Sequence, residues 1–439
     1  MNHALPDELS EAISQVVETQ FGLHFPRERW PELREGVAAA AVELGFPAPL
    51  PFAQRLVSME AGGTEARALA SHLTIGETYF FREPIAFEAL TSRVLPRLAQ
   101  ERQGRAKRLR IWSAGCCTGE EPYSIAIALR DALPDIDEWQ ITILATDINP
   151  HFLHKAAVGI YGDWSFRGVA DQVRQKWFRK TEDGRSEILP IVRQMVSFTC
   201  LNLAEDVYPS LLNNTNAMDL IFCRHVLMYF SPGQQRKAVR NLRASLVAGG
   251  LLLVSTAEAS PALSQDFAPA KIPSVPLFRK EPPVPPVNGA SSGVWLEPAP
   301  RAPAPPPAGL DHAREARNLA NEGLLSAALA ACDRALRQDR LVPGLHYLRG
   351  VILQEQNDLE RAAAALQRAL YLDHAFVVAH FALGHVRLRQ GRGPESALCF
   401  ANARAGLVTW AQDEVLPESD GMTAGRLLEI LQAMEEVVV

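Results

Sequence analysis

A chain of 439 residues with a formal net charge of −6 exceeds what one hydrophobic core ordinarily organises, so two or three domains are expected. Net acidity gives no general attraction to a phosphate backbone and argues against nucleic acid as a partner. The six cysteines are scattered, with only Cys116 and Cys117 adjacent, which is neither a disulfide framework nor the paired spacing of a zinc site. The longest apolar runs, such as Met218 to Val226 and Gly250 to Val254, fall far short of a membrane span, and no leader-like segment opens the chain. The expected setting is the cytoplasm, with reduced thiols and no metal.

In chain order, residues 1–80 read as a helical domain. EAISQVVETQF and ELREGVAAAAVELGF carry apolar residues at three- and four-residue spacing, broken by Gly22, Pro26 and Gly45. Residues 81–280 then alternate short apolar runs (RLRIWSAG, ITILATD, MDLIFCRHVL, GGLLLVST) with helix-length amphipathic segments. That rhythm predicts an α/β fold, a parallel sheet with helices on both faces. From about 161 to 198 it is interrupted by Gly162, Gly168 and Gly184 and by strand-like SEILPIV and QMVSFTC, read as a small antiparallel insertion. Residues 281–310 are a proline-rich linker, expected to hold its flanking parts at a distance rather than let them pack.

Residues 311–439 carry a period. Ala335, Ala369 and Ala403 stand 34 residues apart, as do Gly350 and Gly384, and Ala328 and Ala362. Small residues are needed where two helices of a repeat cross, with large ones such as Leu366 and Phe400 filling the space beside them. The pattern resembles the tetratricopeptide repeat: two clear copies at 343–376 and 377–410, a degenerate copy from 311, and a closing helix near Thr423 to Glu436. Ser396 stands where an alanine would recur, and His374 where the repeat often has proline.

The segment richest in chemistry is RLRIWSAGCCTGEEPYSIAIAL, a strand running through a small-residue turn into a helix. Such a turn lets backbone approach a nucleotide-sized ligand, although many α/β folds share it. Asp147, at the end of the next strand, can accept hydrogen bonds from both hydroxyls of a ribose. The turn lacks the GxGxxG spacing of a dinucleotide binder, and no lysine follows it as in a phosphate-gripping loop. A ribose without a pyrophosphate points to S-adenosylmethionine.

Four segments, TIGETYFFREP, SAGCCTGEEPYSIAI, ATDINPHFLHKAAVGIY and DLIFCRHVLMYF, together resemble the CheR-type chemoreceptor glutamate methyltransferases in order and spacing. The resemblance covers about residues 5–280. It implies a helical N-terminal domain, a doubly wound class I methyltransferase domain with a three-stranded insertion, and a chemoreceptor cytoplasmic domain as protein substrate, with S-adenosylhomocysteine as product. It implies that Thr78 and Arg82 belong to a segment closing over the cofactor, with Gly76 in place of the usual asparagine. Glu121 would meet the methionine amino group, Asp147 the ribose, and Asn202 and Leu203 the adenine. Arg224 follows the fourth strand, His225 replaces a second asparagine, and Tyr229 faces the transferring methyl group. The basic face often carried by the family's N-terminal helices is not matched here.

Transfer from a sulfonium to a carboxylate needs no general base, because a glutamate is already ionised at neutral pH. The requirement is alignment, and Arg82 and Tyr229 are the candidates for it. Glu120 reads as a carboxylate favouring a helix N-terminus, Cys116, Cys117 and Cys223 as packing residues, and His225 as either structural or a cofactor neighbour. A small-molecule or RNA methyltransferase would share the cofactor site, but FFRE and CRHVLMYF argue against it. A scaffold without catalysis would keep the repeats, which are expected to bind a peptide, another signalling protein or a second copy.

Overall fold

The structure is a computed structural model that describes residues 5–431 other than 59–62, 102–106, 211–212, 261–262, 282–307, 322–323, 420–421, 426 and 429. The N-terminal part is helical as expected: α1 (Asp7–Phe21), α2 (Trp30–Glu43), α3 (Pro49–Val57) and α4 (Gly63–Leu73). Ile13, Val17 and Phe21 of α1 form one buried stripe against Leu33 and Val37 of α2 and Phe52 and Leu56 of α3. Gly22 ends α1 at φ +76°, its N–H donating to the Glu18 carbonyl, so the chain turns back sharply where few L-residues would fit.

After α5 (Pro84–Ala89) and α6 (Leu95–Glu101), β1 (Arg108–Ala114) begins the sheet. It is followed by α7 (Glu120–Ala132), β2 (Gln140–Asp147), α8 (Pro150–Val158), β3 (Ile160–Tyr161), α9 (Asp171–Trp177), β4 (Phe178–Lys180), β5 (Ser186–Ile188) and α10 (Pro190–Arg193). Then come β6 (Val196–Cys200), β7 (Met218–Phe222), α11 (Pro232–Ser245), β8 (Leu246–Leu253), α12 (Leu263–Asp266), β9 (Ala268–Pro269) and β10 (Leu277–Arg279). The main sheet runs β6-β2-β1-β7-β8-β10-β9. Strands β6, β2, β1, β7 and β8 are parallel and β10 antiparallel. Its central strands are buried along almost their whole length, as a sheet covered on both faces requires. From β1 the chain builds outward to β2 on one side and to β7 on the other. Ligands in such sheets bind beyond the strand C-termini at that reversal.

The expected insertion is present as a second, antiparallel sheet, β3-β5-β4. One segment assigned to it belongs elsewhere. QMVSFTC supplies β6, which pairs in parallel with β2, Ile143 opposite Val196. A five-residue strand at a sheet edge alternates exposed and buried residues as an antiparallel one does, so its pattern does not reveal its partner.

The repeat region comprises α13 (Ala308–Asn321), α14 (Leu325–Gln338), α15 (Pro343–Glu355), α16 (Leu359–Leu372), α17 (Val377–Arg389) and α18 (Gly393–Leu407). The first helices of the two clear repeats start at Pro343 and Val377, their second helices at Leu359 and Gly393, each pair 34 residues apart. A Cβ on Gly350 would lie 2.6 Å from Leu366 Cγ, and one on Gly384 2.4 Å from Phe400 Cε1, so the glycines are the crossing points. Ser396 replaces alanine without penalty because its buried hydroxyl donates to the Gly384 carbonyl. The closing helix falls partly outside the described residues; within them Leu427, Ile430 and Leu431 are buried in the repeat core.

Residues 282–307 of the linker lie outside the described residues, but its expected effect, keeping the halves apart, is not what the structure has. Arg110 on β1 and Glu355 at the end of α15, each 3% exposed, form an ion pair. Arg108 reaches the same carboxylate at 3.2 Å, Arg110 also donates to Asn214, and Gln140 Nε2 donates to the Glu355 carbonyl. Asn216 reaches the Ala320 carbonyl at the end of α13. A proline-rich tether sets reach, while the surfaces at its ends decide contact. Here two guanidiniums on the sheet's N-terminal edge meet a carboxylate and the electronegative end of a helix.

Candidate active site

Beyond the C-termini of β1, β2 and β7 lies a cleft open to solvent. Three sequence segments build its floor. β1 ends at Ala114 and turns through Gly115 (φ +82°), Cys117 (φ +51°) and Gly119 (φ +93°) into α7. A Cβ on Gly115 would stand 2.3 Å from Val226 Cγ2, so this approach of turn to loop needs glycine twice over, for space and for φ.

Asp147 ends β2. Its Oδ2 accepts the Cys117 N–H at 2.8 Å and its Oδ1 the Asn149 N–H at 2.9 Å, which leaves a lone pair on each oxygen for a ligand. Burial pushes its carboxyl up to about 6 against those hydrogen bonds, so the pocket holds a carboxylate whose charge gains from further donors. Glu121, on the first turn of α7, accepts from Ser113 Oγ at 2.7 Å and pairs with Arg224 at 3.0 Å. Burial raises it above the ordinary glutamate value, opposed by Arg224 and Ser113.

Arg224, after β7, joins floor to lid. Its buried guanidinium donates to the Arg82 carbonyl at 2.6 Å and pairs with Glu83 at 2.9 Å as well as with Glu121. His225 follows at φ +59°; its Nε2 is 3.1 Å from Glu83 Oε1 but unaligned for a hydrogen bond. Burial, then the Arg82 charge, lowers it below the ordinary histidine value despite Glu83.

The lid is the segment 74–83. Thr74, Ile75, Glu77, Thr78 and Arg82 line the cleft, with Phe21 and Leu23 from the end of α1 on the same wall. Arg82 Nη1 donates to the Glu77 carbonyl at 2.5 Å, and among the described residues no carboxylate pairs with it. Tyr229 lines the cleft, its carbonyl accepting from the His24 N–H.

Of the residues singled out from sequence, Thr78, Arg82, Glu121, Asp147, Asn202, Leu203, Arg224, His225 and Tyr229 stand on the cleft wall. Gly76 does not; a Cβ there would meet the Phe152 ring at 2.8 Å. Phe152 itself lines the cleft, so an aromatic ring takes the space an asparagine would need. The Asn202 amide is committed to the protein, bonding the Gln20 carbonyl, Glu205 and the Ala204 N–H. Glu120 points away, holding Thr118 and Ser165. Burial holds the Cys116, Cys117 and Cys223 thiols protonated, well above their ordinary range.

Sequence reasoning missed Glu258, whose buried carboxylate accepts the N–H groups of His225, Val226 and Met228 and shapes the loop that carries Tyr229. Its signal was the Ser255-x-x-Glu258 capping box after β8. The apolar walls Phe21, Leu23, Phe152 and Phe230 had no distinguishing signature, being indistinguishable from core positions.

The donor set fits one cofactor chemistry. Two carboxylates suit a ribose and a cationic end, aromatic and aliphatic walls suit a base, and with Arg224 tied to Glu83 and Glu121 the wall has no lysine and only Arg82 without a carboxylate partner, too little to clamp a pyrophosphate. Residues 76–275 match the family described as CheR methyltransferase, SAM binding domain. Chemotaxis protein methyltransferase 2 of Vibrio cholerae is 37% identical over 208 residues, covering 47% of this chain and 70% of that protein. The chain belongs to the CheR methyltransferase family. It is a methyltransferase dependent on S-adenosylmethionine, and most of the cleft wall comes from the matched residues.

A second relative is matched over more of the chain: the probable biofilm formation methyltransferase WspC of Pseudomonas aeruginosa, 32% identical over 350 residues, 72% of this chain and 81% of that one. Among solved structures, the second tetratricopeptide domain of Spaghetti bound to an HSP90 peptide is 19% identical, covering 22% of this chain and 88% of that one with a TM-score of 0.21. The repeat assignment rests instead on the 34-residue spacing of the helices. No described helix is long and apolar enough to cross a membrane.

Proposed function

We propose that the enzyme methylates glutamate side chains on the cytoplasmic domain of a chemoreceptor, in a chemotaxis-like signalling pathway, with the repeats binding a further protein. The observation that carries the acceptor chemistry is Arg82, a cation at the cleft mouth whose only described hydrogen-bond partner is a carbonyl. A guanidinium can hold one carboxylate oxygen and leave the other as nucleophile. S-Adenosylmethionine supplies an electrophilic methyl on a sulfonium. The protein supplies position: Asp147 receives the ribose hydroxyls, Glu121 the ammonium, and the apolar walls beside Leu203 the adenine. Tyr229 directs the free carboxylate oxygen.

Well-oriented reactants of this kind recover roughly 7–11 kcal/mol of barrier. Over-stabilising the ground-state carboxylate would forfeit part of that. The test is incubation with methyl-labelled S-adenosylmethionine and membranes from the source cell. A receptor-sized band with base-labile label is expected; label that resists base, or none on protein, would refute the ester.

A further inference from the structure

The lid is fastened to the antiparallel insertion at several points. The Phe80 N–H donates to the Ser165 carbonyl at 2.9 Å, and the Phe80 ring packs among Tyr161, Phe166 and Phe178. The outermost fastening is of a different kind. The Arg167 guanidinium lies 3.9 Å from the Tyr79 ring centroid and 4.4 Å from that of Trp164, sandwiched between them. One nitrogen donates to the Trp164 carbonyl at 2.7 Å and another pairs with the Glu77 carboxylate. Trp164 is 71% exposed, a large apolar surface left in water that serves to fix one cation.

Glu77 has two oxygen functions with opposite consequences. Its carbonyl holds Arg82 Nη1, whose guanidinium also faces Tyr79 at 5.9 Å. Its carboxylate, on the residue whose carbonyl already holds Arg82, is an internal rival to an acceptor carboxylate, whereas Glu121, which also feels the Arg82 charge, is tied to Arg224. Arg167 occupies that rival. A stacked guanidinium paired with a carboxylate is a strong and geometrically fixed partner, whereas an exposed glutamate without it would turn to the next cation.

We propose that Arg167 is a positioning residue for methyl transfer: by holding the Glu77 carboxylate between lid and insertion, it keeps the Arg82 guanidinium open to the acceptor glutamate. The inference rests on the reading that the acceptor is a carboxylate gripped by Arg82. Arg167 is not on the cleft wall, and acts through Glu77 and Tyr79.

The experiment is initial-rate kinetics of the full chain with receptor membranes and labelled S-adenosylmethionine. Arg167→Met keeps bulk between the rings and removes the charge. It should raise the acceptor KM about 10- to 100-fold, the effect of losing one charge-assisted hydrogen bond at Arg82, with a smaller change in kcat. Adding Glu77→Gln to Arg167→Met removes the rival and should restore most of the lost KM. Arg167→Lys, which retains the charge on Glu77, should lie nearer wild type than Arg167→Met. An unmoved KM, a defect that Glu77→Gln leaves in place, or equal impairment by lysine and methionine would overturn the proposal and leave Arg167 a mere fastener. Failure of the wild-type enzyme itself to label the receptor would instead sink the underlying acceptor assignment.

Discussion

Cofactor affinity should depend on pH through Asp147. Its carboxyl is raised to about 6 in the ligand-free protein, so at pH 5 only about one molecule in eleven carries the ionised form that ribose hydroxyls prefer. Binding must then expel a proton, and affinity at pH 5 should be about tenfold weaker than at pH 7, or about 1.4 kcal/mol. The sign for stability is the reverse. A folded pKa above the unfolded one means that the contribution of Asp147 to stability is present below the ordinary aspartate range and lost as pH rises through about 6. The cofactor should therefore raise the melting temperature more at pH 7 than at pH 5.

Calorimetry of S-adenosylhomocysteine binding in two buffers of different ionisation enthalpy measures both affinity and protons released. Asp147→Asn is the control, since the ligand's own titration is common to both proteins. Glu121 and His225, whose pKa values are also displaced by burial, leave a residual slope in that variant. Identical pH slopes in wild type and Asp147→Asn would refute the reasoning.

Three further outcomes are expected. Tyr229→Phe should lower kcat more than it weakens cofactor binding, because an alignment contact matters chiefly at the transition state; the opposite split in steady-state and calorimetric data would move Tyr229 to the cofactor. Glu355→Ala should destabilise the full chain by about 3–5 kcal/mol in urea unfolding, since it leaves Arg110 buried without its carboxylate, and a cost below about 1 kcal/mol would mean that water relieves the pair. A chain ending after Glu281 keeps every residue of the cleft wall and the Lys280 backbone bonds to Gly249 and Gly250, so it should bind S-adenosylhomocysteine with unchanged affinity; weakened binding would make the repeats part of the cofactor site.

What could be read from sequence was whatever local chemistry dictates. A glycine turn between β1 and α7, an aspartate ending β2, and a 34-residue alternation of glycine with Leu366 or Phe400 each follow from one short stretch of backbone and need no partner to be legible. What could not be read depends on distant meetings. The edge strand β6 carries a pattern common to both kinds of sheet, and only its pairing with β2 decides. Arg110 and Glu355 look like surface charges until 245 residues of separation are closed. Gly76 looked like a lost contact; beside Phe152 it is a fitted one.

The bond between Arg110 and Glu355 changes what the repeats are for. Had the two halves been strung on a leash, a captured partner would gain only in local concentration, drifting past the cleft at every angle. Instead β1 works as a connecting rod: Arg110 at one end is locked to α15, and Gly115 at the other opens the cofactor turn, about 17 Å farther along an extended strand. A partner seated on the repeats is thus presented to the cleft from one bearing and at one span. On the proposed reading, with a receptor seated on the repeats, the choice among its glutamates would become a measurement of length, made by a caliper whose jaws are the repeat array and the lid.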